Sequence, residues 1–346
     1  MLESLLEMAL EKKEEILNKV DVFYGVELDP QEKWINQNIK IAPDNVVLSA
    51  GDGSIHKKKF LSFIFYAISA ETLIYNEELQ KIENSQIDLL PHHRFVEDRL
   101  RNYMSLYETK NALQALEKGV DYYLFDGSLL GNLIRPFPMD RELKTKTKRE
   151  IEEEYRHLLL RELDNNLVEI SSTNLLDDSN KDTESLIYLE NLENLLVIKK
   201  LLDYGKKLVA ISKTSTRNDY FLSNIPDISL FDRSNKKEGY SHPYYLTVSS
   251  QLKREFPILD NYFREKEFTI FYARLEDYKN IIKIELPYHA SIDDVENVLG
   301  ILKRDSVEGY PYLLKKAHHD VVIKKTDLER LSSIMGFLEK DGREML

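Results

Sequence analysis

Cysteine is absent from the 346 residues. That excludes disulfides, a thiolate zinc site and a cysteine nucleophile, and it fits a reducing cytoplasm. No apolar run approaches the ~20 residues of a membrane-spanning helix. Met1 to Val20 carries too many Glu and Lys for a secretory signal. No glycine-rich phosphate loop of the Walker or dinucleotide type occurs, which speaks against nucleotide-driven chemistry within the chain. No internal repeat is found beyond one doubled tripeptide. Positive charge is in deficit: 48 Lys and Arg face 60 Asp and Glu, for a net charge of −12. A surface coated uniformly for nucleic acid is therefore disfavoured. An internal basic channel stays open, because net charge does not say where charges sit.

What is present bounds the fold. The length suits one large domain or two ordinary ones, and 42% hydrophobic residues suffice for a core. Charged residues make up 31%, mostly Lys and Glu, a balance that suits a hot-adapted protein.

Met1 to Val20 reads as an amphipathic helix, with Leu2, Leu6, Ala9, Leu10, Ile16, Leu17 and Val20 at helical spacing. Its apolar stripe suits either the protein's own core or a partner. Residues 45–51 read as a strand, Asp52-Gly53 as a turn signal, and 59–75 as one or two further strands. Helices are expected over 94–118, 142–163 and 184–204, with a strand at 120–126 and a helix start at 128–134. The polar stretch Asp164 to Glu184 reads as a mobile loop or insertion. Beyond it come a strand at 207–212, a short helix at 216–222 and strands at 267–274 and 281–286. Helices at about 291–303, 311–319 and 326–340 close the chain. Strands followed by helices, with an antiparallel start, predict a mixed α/β sheet covered by helices.

The doubled tripeptide is Asp-Gly-Ser, each copy ending an apolar run. It places Asp52 after Val46-Val47-Leu48-Ser49-Ala50-Gly51 and Asp126 after Tyr122-Tyr123-Leu124-Phe125. For Asp52, a hairpin turn and a ligand position both stay open. Asp126 is firmer, because Ser128 reads as the N-cap of a following helix, leaving the carboxylate at the sheet's exit. Glu108 lies on the row Leu100, Met104, Glu108, Ala112, Leu116, where every other member is apolar. A lone charge on a core-facing stripe needs compensation, by a buried salt bridge or by a metal ion. Three clustered carboxylates repel one another until a cation neutralises them. Oxygen ligands favour magnesium or manganese over zinc, and such a cation suits phosphodiester hydrolysis.

Near the C-terminus, Gly309-Tyr310-Pro311 precedes Ala317-His318-His319. Pro311 fits the first turn of a helix. Tyr310, Leu314, Ala317 and His318 then share one side. His318 suits either a structural place or a metal or acid–base role. Lys213, Arg274 and Lys283 sit at or on strands, where phosphate contact and ordinary solvated charge are the alternatives. Solvated charge is expected for Arg274 and Lys283. The tyrosines read mainly as core or surface aromatics, though some suit stacking on single-stranded bases.

Taken in order, these stretches resemble the NurA family, archaeal DNA nucleases that work with the hexameric HerA translocase. The matching segments are Gly51-Asp52-Gly53-Ser54, Glu108 within its helix, and Leu124-Phe125-Asp126-Gly127-Ser128-Leu129. Val209-Ala210-Ile211-Ser212-Lys213, Pro226-Asp227-Ile228, Glu238-Gly239-Tyr240-Ser241 and Gly309-Tyr310-Pro311 with Ala317-His318 follow. They run across about residues 45–325. The departures are the polar stretch and the second histidine, His319. The resemblance implies an α/β, RNase H-like core with N- and C-terminal helical extensions, in one nuclease domain: 1–44 an extension, 45–325 the core, 326–346 a final helix. It implies a manganese-dependent deoxyribonuclease, with magnesium as a substitute, that acts as a 5′-to-3′ exonuclease and a single-strand endonuclease. By position, Asp52, Glu108, Asp126 and His318 would bind metal, Tyr310 would complete the active site and Lys213 would contact DNA. A ring-shaped homodimer docked on a HerA-type ATPase, working in cytoplasmic DNA-end resection, follows from the same resemblance. Another RNase H-like phosphodiesterase or RNase, or a non-catalytic ring adaptor, is the competing expectation.

Overall fold

The structure, a computed structural model, describes residues 2–24, 29–43, 45–139, 141–165, 168–175, 182–252 and 255–337. Among them, ten strands form one mixed sheet. In chain order these are β1 (Trp34–Asn36), β2 (Leu48–Lys59), β3 (Ile64–Asn76), β4 (Glu78–Leu90), β5 (Tyr122–Asp126), β6 (Leu208–Ser212), β7 (Gly239–Ser241), β8 (Tyr244–Thr247), β9 (Glu267–Arg274) and β10 (Ile282–Leu286). A separate small hairpin pairs β11 (Ser306–Val307) with β12 (Tyr310–Pro311). The large sheet runs β1-β7-β9-β10-β6-β5-β2-β3-β4, with β8 beside β9.

The helices are α1 (Glu3–Glu11), α2 (Lys13–Tyr24), α3 (Val96–Glu117), α4 (Leu129–Ile134), α5 (Thr145–Asp164), α6 (Ser171–Leu175), α7 (Thr183–Leu202), α8 (Asp227–Ser234), α9 (Val248–Gln251), α10 (Asp260–Arg264), α11 (Ile292–Arg304), α12 (Tyr312–Val321) and α13 (Lys325–Ile334). Strands β2, β3 and β4 make an antiparallel meander. Strand β5 joins parallel to β2, and β6 parallel to β5. A meander with two parallel strands added beside its first strand is the RNase H-like arrangement.

Strands β5 and β6 are short apolar runs because both their faces are covered. Tyr123, Phe125, Leu208 and Ala210 pack with α3, α5 and α7. Leu124, Val209 and Ile211 pack with α11 and α12 on the opposite face. Helix α3 is also tied to α7 by two buried ion pairs, Arg99–Glu190 at 2.6 Å and Lys110–Glu193 at 2.7 Å. The helix that carries Glu108 is thus held by charge as well as by apolar packing.

Several expectations are corrected. Asp52-Gly53 is no turn: β2 runs through it in register with β3, Asp52 opposite Glu71, and the chain reverses only after Lys59. The third meander strand, β4, was not anticipated, since its exposed edge carries mostly polar residues. Residues 216–222 form turns instead of a helix. There the Asn218 side chain donates to the Ser223 carbonyl, and Tyr220 N–H donates to Asp227, so side chains compete with helical bonding. Part of 164–184 is packed: Ile170, Ser171 and Ser172 are buried, and the Ser171 and Ser172 N–H groups donate to Glu193. Residues 166–167 and 176–181 of that stretch lie outside the described residues. The N-terminal helix breaks into α1 and α2 at Lys12, and its side chains from Leu2 to Val20 are exposed instead of buried in the protein's own core. The last helix ends at Ile334; residues 338–340 lie outside the described residues.

Candidate active site

Alternation along β2 puts Leu48, Ala50 and Asp52 on the α12 face and Gly51 and Gly53 on the α3 face. Strand β5 keeps parallel register with β2 up to Gly51↔Phe125 and ends one residue later, at Asp126. That register brings Asp126, at the end of β5, level with Asp52 inside β2. Ser128 Oγ accepts the Gly131 N–H, as expected of an N-cap, so the chain turns into α4 directly behind Asp126. Strand β6 stops at Ser212, and the following Lys213 places Nζ 3.3 Å from Asp126 Oδ2.

Helix α12 crosses the same face, anchored by Leu314 and Ala317 in the core. Pro311 is its N-cap. His318 Nδ1 lies 2.6 Å from Asp52 Oδ2. Ligand atoms of Asp52, Asp126 and His318 all lie within 4.8 Å of one another. His319 points elsewhere, 90% exposed and beside Asp320. Lys81 also clamps α12, bridging Asp320 at 3.0 Å and the buried Glu71 at 3.1 Å.

Glu108 arrives from the opposite layer. It reaches the sheet at Gly53, where no side chain blocks it. Among the described residues no cation forms an ion pair with it, so the salt-bridge alternative is set aside. Burial first, then Asp52 and Asp126, push its carboxyl up to about 8, against weaker help from the Gly53 N–H and Arg135. Asp126 is also raised, mainly by burial and opposed by Lys213.

Tyr310 is presented by the β11–β12 hairpin. Its turn residues Glu308 and Gly309 have φ of 57° and 74°, the left-handed pair of a tight two-residue loop. Lys213 Nζ sits 4.7 Å from the Tyr310 ring centroid. The Tyr310 hydroxyl is buried without a protein partner, and burial together with Asp126 and Asp52 raises it far above the usual phenol range. Clustered carboxylates, one imidazole and an orphaned buried hydroxyl fit a divalent cation with a polar substrate. A mixed oxygen and nitrogen set suits manganese.

Two charges read from the sequence as solvated are buried instead. Arg274 is 1% exposed and pairs with Asp232 at 2.7 Å. Lys283 pairs with Glu285 at 2.5 Å inside β10. Glu285 also accepts Ser128 Oγ at 2.7 Å and Leu130 N–H at 3.1 Å. Sequence reasoning missed Glu285 and this link to the turn behind Asp126. The signal was available: Ile282-Lys283-Ile284-Glu285-Leu286 sets charges into a strand otherwise wholly apolar. Gly53 escapes sequence reasoning because Asp-Gly reads as a turn.

An RNase H-like sheet with a candidate divalent-cation cluster on its central strands β2 and β5, completed by α12, defines the class. The chain belongs to the NurA family: the NurA domain model matches residues 46–323. It is 31% identical over 362 residues to the probable DNA double-strand break repair nuclease NurA of Methanocaldococcus jannaschii, covering 99% of this chain and 92% of that protein. It is 29% identical over 338 residues to the DNA double-strand break repair nuclease NurA of Saccharolobus solfataricus, covering 95% and 89%. The crystal structure of the NurA nuclease from Sulfolobus solfataricus superposes with a TM-score of 0.77 at 23% identity, covering 97% of each chain. A crystal structure of NurA bound to dAMP and manganese superposes with a TM-score of 0.64 at 15% identity, covering 99% of this chain and 98% of that one.

Proposed function

We propose that this protein is a divalent-metal-dependent DNA nuclease acting in double-strand-break repair. The observation that carries the reading is the approach of Asp52, Asp126 and His318 to within 4.8 Å. Glu108 stands outside that group, against Gly53 on the other layer, close enough for Asp52 and Asp126 to raise its carboxyl. Relatives named as break-repair nucleases, and a NurA structure holding manganese and dAMP, support manganese and a deoxynucleotide substrate.

Asp52, Asp126, Glu108 and His318 would hold the ion. When bound, it would polarise a phosphodiester and favour ionisation of a water molecule. Lys213 balances Asp126 and would offer its ammonium to a phosphate oxygen. The buried Tyr310 hydroxyl faces the same carboxylates with a free hydrogen bond to give. His318, more than half exposed, faces solvent and is placed to exchange a proton.

Further readings follow from family membership. They are 5′-to-3′ exonuclease and single-strand endonuclease activity, one nuclease domain across the chain, a cytoplasmic homodimer and docking on a HerA-type ATPase in end resection. The exposed Leu2, Leu6, Leu10, Ile16 and Leu17 of α1 and α2 are a surface suited to such contacts. Among the described residues no helix is long and apolar enough to cross a membrane.

The test is a cleavage assay on end-labelled single- and double-stranded DNA, and on RNA, with manganese, magnesium or chelator. DNA cleavage with manganese that chelator stops, and that Asp126→Ala abolishes, is the expected result. Full cleavage by Asp52→Ala or Asp126→Ala would overturn the site, and preference for RNA would overturn the substrate.

A further inference from the structure

Beyond Asp52 the central sheet has an open edge. Strand β5 stops pairing with β2 at Gly51↔Phe125, while β2 continues against β3 as far as Lys59. Among the described residues, no strand covers the other edge of residues 53–59. Alternation sends Gly53, Ile55 and Lys57 to the α3 face. Opposite them, Glu97, Arg101, Met104 and Glu108 rise along successive turns of α3.

A cleft of about 260 Å³ lies between the two, lined by Ile55, Lys57, Glu97, Leu100, Arg101 and Met104. Arg101 also borders a second hollow, shared with Ser105, Asn132, Arg135 and Phe137. The cleft and the hollow flank the stretch of α3 that ends at Glu108. A cationic, partly apolar track thus runs along the α3 face of the open edge toward Glu108, one turn beyond Met104.

We propose that this track holds the sugar–phosphate backbone of a single nucleic-acid strand entering the site, with Arg101 as the central phosphate contact and Lys57 and Arg135 on either side. This rests on the nuclease reading above and adds the route of the substrate. Arg101 is close enough to repel both Lys57 and Arg135. After burial, Lys59 and Arg101 hold the Lys57 ammonium below its usual range, and Arg101 does the same to Arg135. Clustered like charge is unfavourable in the free protein and is relieved by a polyanion.

The local acids do not close the track. Lys57 pairs with Glu97, and Arg101 with Asp98 at 3.5 Å, but both carboxylates are exposed. Exposed pairs of this kind are worth about 0–1 kcal/mol and exchange readily for phosphate. Ile55, Met104 and Phe137 argue for a single strand, because only unpaired bases offer their faces to apolar side chains. Lysines on an open edge also discourage strand-to-strand aggregation. That accounts for Lys57, Lys58 and Lys59, but not for Arg101 and Arg135 on the facing wall.

The experiment uses the full chain and the variants Arg101→Ala, Arg101→Lys, Lys57→Ala and Arg135→Gln. Lys237→Ala, in an exposed pair with Asp277, is the distant control. Melting curves confirm that each variant folds. Binding of a labelled single-stranded oligonucleotide is measured by anisotropy with chelator present, across a salt series. Hydrolysis of bis(p-nitrophenyl) phosphate with manganese is measured in parallel. Arg101→Ala and Lys57→Ala are expected to weaken oligonucleotide binding about tenfold and to reduce the salt slope by roughly 0.7 for each cation removed. Arg101→Lys should lose less, and the Arg101 and Lys57 variants should hydrolyse the small ester at the wild-type rate. Arg135→Gln, whose charge also acts on Glu108, is read by binding alone. Affinity and slope matching Lys237→Ala would overturn the proposal, as would a proportional loss of ester hydrolysis in the Arg101 and Lys57 variants. If the wild-type protein cleaves neither DNA nor ester, the nuclease reading fails, while the binding series still decides the track.

Discussion

Glu108 occupies the space that Gly53 leaves open. A Cβ built on Gly53 would lie 2.6 Å from both Oε1 and Cγ of Glu108. The two layers of the fold meet at the site only because one strand residue has no side chain. Gly53→Ala is therefore expected to displace the Glu108 carboxylate while β2 keeps its pairing. Manganese affinity, measured by titration calorimetry, should fall at least tenfold with the melting temperature little changed. Unaltered affinity would mean that Glu108 does not reach the ion through this gap.

The metal-free protein should lose stability as pH rises. Glu108 is raised to about 8 in the folded chain, so the native state binds its proton more tightly than the unfolded one. Its contribution is complete below the ordinary glutamate range and is lost as pH climbs through 8. Each unit of displacement corresponds to about 1.4 kcal/mol. Glu108→Gln should flatten the fall in melting temperature between pH 5 and about pH 8, the window set by that shift. Manganese should flatten it in the wild type, by favouring the ionised carboxylate. Glu108→Gln should also be inactive. A Glu108→Gln protein markedly less stable at every pH would instead point to a structural hydrogen bond.

The two adjacent histidines should behave unequally. His318 holds Asp52 at 2.6 Å, whereas His319 is 90% exposed beside Asp320. His318→Ala is expected to lower manganese-dependent cleavage at least a hundredfold, and His319→Ala to leave it within about twofold, the ordinary outcome for a surface change. Equal effects would show that α12 acts as a whole and not through one imidazole.

The helices and central strands were legible because their apolar periods are strong. The 94–118 segment appears as Val96–Glu117 and the 120–126 segment as Tyr122–Asp126. Glu108 stood out because its row is otherwise apolar. What stayed hidden depends on tertiary context. Asp-Gly favours a turn locally, yet β3 on one side and α3 on the other keep Asp52 and Gly53 extended. Edge strand β4 carries no apolar run, because much of it faces solvent. Lys283 reads as a surface charge until its buried partner Glu285 is seen to accept from Ser128 and Leu130.

That last group supports a prediction about the geometry behind Asp126. Glu285 collects donors from Ser128, Leu130 and Lys283 while fully buried, so it fixes the turn from β5 into α4. Lys283→Met would leave its charge unpaired, and breaking a buried pair in this way costs about 3–5 kcal/mol. The double variant Lys283→Met with Glu285→Leu removes the unpaired charge and should recover much of that stability in a denaturant series. It should not recover manganese affinity, because Ser128 and the Leu130 N–H would still lack the acceptor that aims Asp126. Recovery of both together would show that the pair serves only the packing of β10.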